Sequence, residues 1–281
     1  MRLVYFGTPA ASVPPLRALQ RAGHEIAFVV TQPDRRRGRG NAVVPSPVKE
    51  AAVELGLPVL TPRRAREVVD DVASSGAELG VVVAFGQLLP AALLDALPRG
   101  FVNVHFSLLP RWRGAAPVER ALLAGDAETG VTIMQLDEGL DTGPVYSRAT
   151  TRIGPDETAG DVTTALVLLG ADLLVATLPE IPTRAPEPQQ GEPTYADKLT
   201  VEEFELHFDA PVDELVRMVR AGNPRPGAWT TVHGARVKVW RAQIGADGEF
   251  EALEVQPEGK PRMAADAWAR GLRDGAPPWG T

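Results

Sequence analysis

The 281-residue sequence contains no cysteine, and this absence excludes three classes of chemistry. Disulfide bridges, thiolate nucleophiles and cysteine metal sites are all impossible. Histidine is also scarce: the four are His24, His105, His207 and His233, and none is paired at H-E-x-x-H or similar spacing. We therefore predict a protein without a bound metal.

Long apolar runs, a leader and an excess of positive charge are missing too. No apolar run approaches the ~20 residues of a bilayer-spanning helix, which predicts no membrane partner. Met1 and Arg2 lead directly into the strand-like LVYFG rather than into a secretory signal, which predicts a cytoplasmic protein. The formal net charge of −7 argues against a general nucleic-acid coat but leaves room for a local basic patch. We expect a monomer.

Short β-rich runs and helix-like stretches alternate over the first 180 or so residues. SPVKEAAVELG is one such helix, with Ser46 as its N-cap. The pattern predicts an open, mostly parallel α/β sheet with flanking helices. No G-x-G-x-x-G follows the first strand, so we do not expect a dinucleotide. The runs typical of strands buried on both faces are RLVYFG, EIAFVVT, LGVVVAF, FVNVH and VTIMQL.

Residues 181–194 have the composition of a linker, with four prolines, two glutamates and two glutamines. After it, PVDELVRMVRAG has helical spacing, whereas WTTV, RVKVWRAQI and ALEVQP are typical of short strands. We predict a first domain over residues 1–180, a linker over 181–205 and a small barrel-like domain over 206–281.

Asn103 and His105 lie two residues apart at the end of the predicted strand FVNVH. Their side chains therefore point to the same face, at the carboxyl end where open sheets bind ligands. An amide and an imidazole can donate converging hydrogen bonds to a developing oxyanion. The structural alternative is that Asn103 caps a turn and His105 is a hydrogen-bonded core histidine.

A candidate carboxylate follows the next strand, in LDEGLDTGP. Asp141 lies between Gly139 and Gly143, which permit a tight turn and close approach of the backbone to a ligand. Asp137 and Glu138 are alternative carboxylates, and an Asx turn at a loop tip is the structural alternative. Pairing with the Asn-x-His strand favours Asp141.

The segments NVHFSLLPRWRGAAPVERALLAGD and TGVTIMQLDEGLDTG resemble the folate-dependent formyltransferases. Matches at FGTPAASV, TQPDRRRGRG…PSPVK and LEVQPEGKPRM extend the resemblance over nearly the whole chain. It implies a Rossmann-like catalytic domain, a C-terminal OB-like β-barrel, and formyl transfer from 10-formyltetrahydrofolate to the α-amino group of initiator methionyl-tRNA. By matching position it assigns Asn103, His105 and Asp141 to catalysis. It assigns the SLLP segment to folate binding: Ser107, Leu108, Leu109 and Pro110.

A glycine-punctuated basic loop, DRRRGRGN, follows the second predicted strand. Its position matches the loop that this family inserts into tRNA, whereas the alternative is a solvated charge run. Arg111 and Arg113 have two alternative roles: contact with a phosphate or the folate tail, or a structural ion pair. The predicted tRNA-binding residues are Arg35, Arg36, Arg37 and Arg39.

The sequence departs from the family between RVKVWRAQI and ALEVQPEGK, where only GADGEFE is present instead of a longer strand-bearing segment. We therefore expect an incomplete C-terminal barrel and weaker tRNA docking. Three alternatives stay open: a formyltransferase acting on a smaller amine such as an amino sugar, a hydrolase that deformylates folate, and a non-catalytic folate- or tRNA-binding protein. The residues expected to carry the remaining docking are Arg217, Arg220, Arg236, Lys238 and Arg241.

Overall fold

The computed structural model describes residues 1–37, 42–272 and 279. Its strands are β1 (Arg2–Gly7), β2 (Glu25–Val30), β3 (Arg35–Arg37), β4 (Ala42–Val44), β5 (Val59–Leu60), β6 (Leu79–Val83), β7 (Phe101–His105), β8 (Arg113–Gly114), β9 (Glu128–Gln135), β10 (Val145–Arg152), β11 (Tyr195–Ala196), β12 (Ala228–Val232), β13 (Ala235–Ile244), β14 (Phe250–Pro257) and β15 (Met263–Ala264). Its helices are α1 (Val13–Arg21), α2 (Pro47–Glu54), α3 (Val69–Ala73), α4 (Ala91–Leu94), α5 (Pro117–Ala124), α6 (Ala159–Thr177), α7 (Val212–Gly222) and α8 (Ala265–Ala269).

A seven-stranded sheet in the order β10-β9-β7-β6-β1-β2-β5 forms the centre of the first part of the chain. β1 pairs in parallel with β2 and β6, β2 with β5, and β6 with β7, whereas β9 runs antiparallel to β7. The predicted open, mostly parallel sheet is confirmed. Because β7 lies inside this sheet, its carboxyl end is fixed by strands on both sides.

Aromatic packing holds the middle of the sheet together. Phe6 of β1 meets Phe85 and Phe101 edge-on, with ring centroids 5.2 and 5.5 Å apart. All three rings are buried. Gly80 of β6 faces the Phe101 ring, which occupies the space that a Cβ would need. The apolar runs of the sequence thus become a core directly beneath β7.

Local signals explain the helix starts. Ser46 caps α2, since its hydroxyl accepts a hydrogen bond from the Lys49 N–H at 3.0 Å, as the sequence predicts. Among the described residues one helix, α6, is long and apolar enough to cross a bilayer by length and composition alone. The sequence prediction overlooked this 19-residue stretch because Asp161 and Asp172 interrupt it. α6 is a core helix, with Val162, Leu166 and Leu174 fully buried.

The chain divides into two compact units. Unit 1 comprises Met1–Arg113, Gly130–Thr151 and Thr164–Tyr195; unit 2 comprises Gly114–Thr129, Arg152–Thr163 and Ala196–Thr281. The boundaries of these units differ from the predicted domain boundaries. The division into domains at residues 180 and 205 stays a prediction.

Unit 2 contains a four-stranded antiparallel sheet in the order β12-β13-β14-β15. Val237, Val239 and Val255 form its buried face together with Leu215 and Val219 of α7. Within the described part of the chain β12 and β15 do not pair, so this sheet is open rather than a closed barrel. The turn at residues 245–249 joins β13 directly to β14.

Candidate active site

Asn103 and His105 lie at the carboxyl end of β7, in unit 1. Asn103 is opposite Val82 of β6 on one side and Met134 of β9 on the other, and His105 is opposite Thr132. The Asn103 side chain is half-buried, and no other described residue hydrogen-bonds its amide. His105 is only 5% exposed. Burial therefore restricts the motion of the His105 ring, and the Asn103 amide stays available to a ligand.

Both ring nitrogens of His105 face protein oxygen atoms. Nε2 is 2.9 Å from the Trp112 carbonyl oxygen, and since a carbonyl only accepts, Nε2 carries a hydrogen. Nδ1 is 3.6 Å from Oδ2 of Asp141. That separation is an ion-pair contact rather than a hydrogen bond, as is common for catalytic pairs without substrate. The carboxylate therefore faces the Nδ1 side of the ring.

Of the three carboxylates in the β9–β10 connection, Asp141 is the one beside His105. Its φ of +52° is in the left-handed region, which costs a non-glycine residue conformational energy. Asp137 has a different part: its Oδ1 accepts hydrogen bonds from the Gly139 N–H and the Thr142 hydroxyl at 3.1 and 2.7 Å. This Asx-type turn shapes the loop that presents Asp141.

Gln189 also holds this loop in place. Its amide nitrogen donates to the carbonyl oxygens of Asp141 and Gly143, both at 2.8 Å. Its Oε1 accepts from Nε and Nη2 of Arg113 at 3.1 and 2.7 Å. Arg113 is thus a structural residue that pairs with an amide rather than with a carboxylate. The sequence prediction missed Gln189 because it lies in the proline-rich segment taken as a linker.

The predicted folate residues Ser107, Leu108, Leu109 and Pro110 form a tight turn after β7. The Ser107 hydroxyl is buried and donates to the Arg111 carbonyl oxygen at 2.5 Å. Leu109 packs against Met134 and Val145. These contacts stabilise the turn, and the role of the four residues in folate binding stays a prediction.

A cavity of about 840 Å³ opens in unit 1 beside the loop that carries Asp141. Its polar lining comes from Asp95, Arg99, Gln135, Asp137 and Glu138. Cavities of this size with a few polar groups typically bind small molecules. The apolar lining comes chiefly from Ala91, Leu94, Leu97, Pro98 and Leu136.

The basic loop after β2 is a hairpin in which β3 pairs antiparallel with β4. The Arg35 guanidinium donates to the Gln32 side-chain oxygen. Arg36 and Arg37 lie in β3, whereas Arg39 lies outside the described residues. Arg111 stacks over the Trp112 ring at 4.4 Å.

Two of the expected docking residues of unit 2 are held by the protein itself. Arg220 donates to the carbonyl oxygens of Glu157 and Gly154 at 2.8 and 2.7 Å. Arg217 forms an ion pair with Asp213, one helical turn away. Arg220 therefore fixes a loop within unit 2, and its role in docking stays a prediction.

Two family models match the chain. The model described as formyl transferase matches residues 1–178, and the model described as formyl transferase, C-terminal domain, matches residues 198–252. The first match includes Asn103, His105 and Asp141.

Curated and solved proteins extend this result. The methionyl-tRNA formyltransferase of Paracoccus denitrificans (strain Pd 1222) is 45% identical over 292 residues, covering 97% of this chain and 98% of that protein. The structure of a methionyl-tRNA formyltransferase from Clostridium thermocellum matches with a TM-score of 0.61 at 17% identity, over 92% of this chain and 98% of that one. An N-formyltransferase from Helicobacter canadensis, in complex with folinic acid and dTDP-3-aminofucose, matches with a TM-score of 0.66 at 17% identity, over 86% of this chain and 87% of that one. The two structures show a shared fold.

Proposed function

We propose, because the chain belongs to the methionyl-tRNA formyltransferase family, that it transfers the formyl group of 10-formyltetrahydrofolate to the α-amino group of methionine on initiator tRNA. The product is N-formylmethionyl-tRNA, which is used in translation initiation. The observation that carries the proposal is the His105–Asp141 pair at the end of β7, inside the segment that matches the formyl transferase model. We further propose that the protein acts in the cytoplasm as a monomer.

Formyl transfer to an α-amine does not require a strong general base. The α-amine of an amino acid has a pKa of about 7.7–8.0 as a free terminus, so a useful neutral fraction exists near pH 7. Bound 10-formyltetrahydrofolate supplies the formyl carbon and, at N10, the leaving nitrogen. The protein must stabilise the negative charge that develops on the formyl oxygen and move one proton from the amine toward the leaving nitrogen.

Asn103 and His105 fit the first task. The Asn103 amide is not engaged by any other described residue and can donate to the oxyanion without breaking a protein contact. The imidazole of His105 is anchored at Nε2 by the Trp112 carbonyl, which leaves Nδ1 as the nitrogen that exchanges a proton with the reactants. The Asn103 amide is a donor in place before the reaction, and Nδ1 of His105 becomes a second donor once the ring is protonated.

Asp141 fits the second task. Its carboxylate faces Nδ1 of His105 and stabilises the protonated ring, so that the proton can pass onward rather than remain on the product amine. Asp137 is less suited, because its Oδ1 already accepts two hydrogen bonds within the loop.

The residues present fit a folate. A pterin ring is flat and carries both donors and acceptors, and the cavity beside the Asp141 loop offers the Arg99 guanidinium and the carboxylates of Asp95 and Glu138. Its apolar residues can cover the ring faces. We propose that the cavity-lining segments 94–100 and 135–139 hold the pterin, in addition to the SLLP residues.

Docking of tRNA is assigned to basic residues in both units. The hairpin arginines Arg35, Arg36, Arg37 and Arg39 are candidates for phosphate contacts. In unit 2, Arg236 lies over the Trp229 ring at 3.6 Å and Lys238 lies 5.3 Å from the Trp240 ring centroid. These cations lie on the face of the sheet opposite the valine core.

The test is product analysis with purified enzyme and 10-formyltetrahydrofolate. With methionyl-tRNA we expect formylmethionine after hydrolysis of the ester. The Helicobacter canadensis neighbour makes a dTDP-linked amino sugar the appropriate competing acceptor. Formylation of that sugar without formylation of methionyl-tRNA would overturn the proposal, and release of formate without any acceptor would indicate a hydrolase.

A further inference from the structure

Unit 2 contains a second cavity, of about 490 Å³, lined by the start of α5, by residues 198–201 and by residues 225–226, which follow α7. None of its lining residues belongs to the candidate active site of unit 1. Its apolar surfaces come from Leu199, Val201 and Pro226, and Glu119 lies among them. Lys198 and Arg225 complete the charged lining.

The walls of this cavity are held in place by hydrogen bonds. Arg120 donates to Glu203 at 2.7 Å and to the Asp197 carbonyl oxygen at 3.2 and 3.1 Å, which ties the 197–203 segment to α5. The bond from Arg120 lowers the pKa of Glu203. The Trp229 indole N–H donates to the Val201 carbonyl oxygen at 2.9 Å. The cavity is therefore formed before any ligand arrives.

Glu119 is an unusual residue for such a position. It is half-buried, and burial raises the pKa of its carboxyl group. The Arg225 and Arg120 cations oppose this rise in pKa but do not outweigh it. Among the described residues no side chain and no backbone group of another residue donates a hydrogen bond to this partly buried carboxylate, so a ligand that brings N–H groups would stabilise it.

The two cations of the cavity can bind negatively charged groups of a ligand. Lys198 and Arg225 are exposed, and neither forms an ion pair with another residue in the part of the chain that the structure describes. Two exposed cations beside an apolar pocket that contains one carboxylate suit a ligand that is flat, carries an exocyclic amine and is flanked by phosphates. An unpaired nucleotide has all three features.

We propose that this cavity binds one unpaired base of the 3′ end of the tRNA acceptor, with its exocyclic amine donating to Glu119 and the adjacent phosphates contacting Lys198 and Arg225. The inference rests on the proposed function. All three bases of the C-C-A end that tRNAs share carry an exocyclic amine. A carboxylate accepts from such an amine but repels the carbonyl oxygen that replaces it in uracil or hypoxanthine.

The experiment uses the full chain and chemically methionylated RNA hairpins that end in C-C-A. In three further hairpins one base is changed at a time, cytosine to uracil or adenine to hypoxanthine. For the unaltered protein we expect one of the three changes to raise KM roughly ten-fold, the value of one charge-assisted hydrogen bond, with kcat nearly unchanged.

Glu119→Gln then provides a specificity test, because a glutamine amide can donate to the new carbonyl oxygen. We expect this variant to bind the C-C-A hairpin more weakly and to recover part of the affinity for the altered hairpin. Glu214→Gln, an exposed change on α7, is the matched control and should leave both KM values unchanged. Thermal unfolding of each variant checks that the fold is intact.

The outcomes separate this inference from the function on which it rests. If every altered hairpin is formylated with an unchanged KM, or if Glu119→Gln affects all hairpins equally, the base-binding role is wrong while formylation of the C-C-A hairpin still supports the proposed function. If no hairpin and no methionyl-tRNA is formylated, the proposed function fails, and this inference fails with it.

Discussion

Replacing Gln189 tests whether the loop that carries Asp141 must be held in place for catalysis. Gln189→Ala removes two donors to the carbonyl oxygens of Asp141 and Gly143 and the acceptor for Arg113. The two neutral hydrogen bonds contribute about 1 kcal/mol each, and the two bonds from Arg113 that share Oε1 contribute about 1.5 kcal/mol together, so we expect a loss of about 3 to 4 kcal/mol in the free energy of unfolding.

The effect on activity follows from the backbone of Asp141. Its left-handed φ is maintained by its surroundings, so loss of the clamp allows the loop to relax and moves the carboxylate away from His105. A displacement of ~1 Å at a catalytic group costs about 100-fold, and we expect kcat to fall by roughly 10- to 100-fold with the KM for folate little changed.

Two further variants isolate this role. Gln189→Glu keeps an acceptor for Arg113 but places carboxylate oxygens against the two carbonyls, so kcat should fall at least as far as in the alanine variant. Arg184→Ala, which removes an exposed ion pair with Glu180 in the same segment, should change neither kcat nor stability measurably. Lowered stability with an unchanged kcat in Gln189→Ala would show that the residue stabilises the fold without positioning Asp141.

Three other predictions follow from the candidate site and from unit 1. Asn103→Ala should lower kcat by ~10²–10³-fold in steady-state assays with little change in folate affinity, and full activity would remove the oxyanion role. Replacing the four hairpin arginines by alanine should raise the KM for tRNA and flatten its dependence on salt while the KM for folate is unchanged; an unaltered salt slope would identify a solvated charge run. Ser46→Ala should cost about 2 kcal/mol in chemical denaturation because α2 loses its N-cap bond and the buried Thr31 hydroxyl loses its partner, and no change would argue against both bonds in solution.

The central sheet and the end of β7 follow from short-range sequence signals. Strands such as Leu79–Val83 are apolar throughout because helices cover both faces of the sheet, and that property is visible in the sequence. The shared direction of Asn103 and His105 follows from the two-residue period of a strand. Proximity of Asp141 to His105 is a long-range contact, and the sequence indicated it only through the glycines beside it and the family resemblance.

The remaining features of the site depend on contacts between distant residues. Gln189 lies in a proline-rich segment without periodicity, and nothing local shows that its amide reaches Asp141, 48 residues earlier. The identity of Arg113 as a partner of Gln189, and of Arg220 as a clamp on the Gly154 and Glu157 carbonyls, is equally invisible in sequence. The charge of a residue indicates which groups it can bind, but only the fold determines which of these groups lies next to it.

The open sheet of unit 2 has two edges, and each limits association with another molecule through strand addition. The β15 edge is only two residues long, and Pro261 and Arg262 precede it, so an incoming strand finds few free backbone groups and a charge. At the β12 edge, Glu205 already forms a parallel bridge to Trp229. In the described part of the chain, β15 and Glu205 thus cover part of each edge of this open sheet, which limits edge-to-edge pairing with other molecules at those positions.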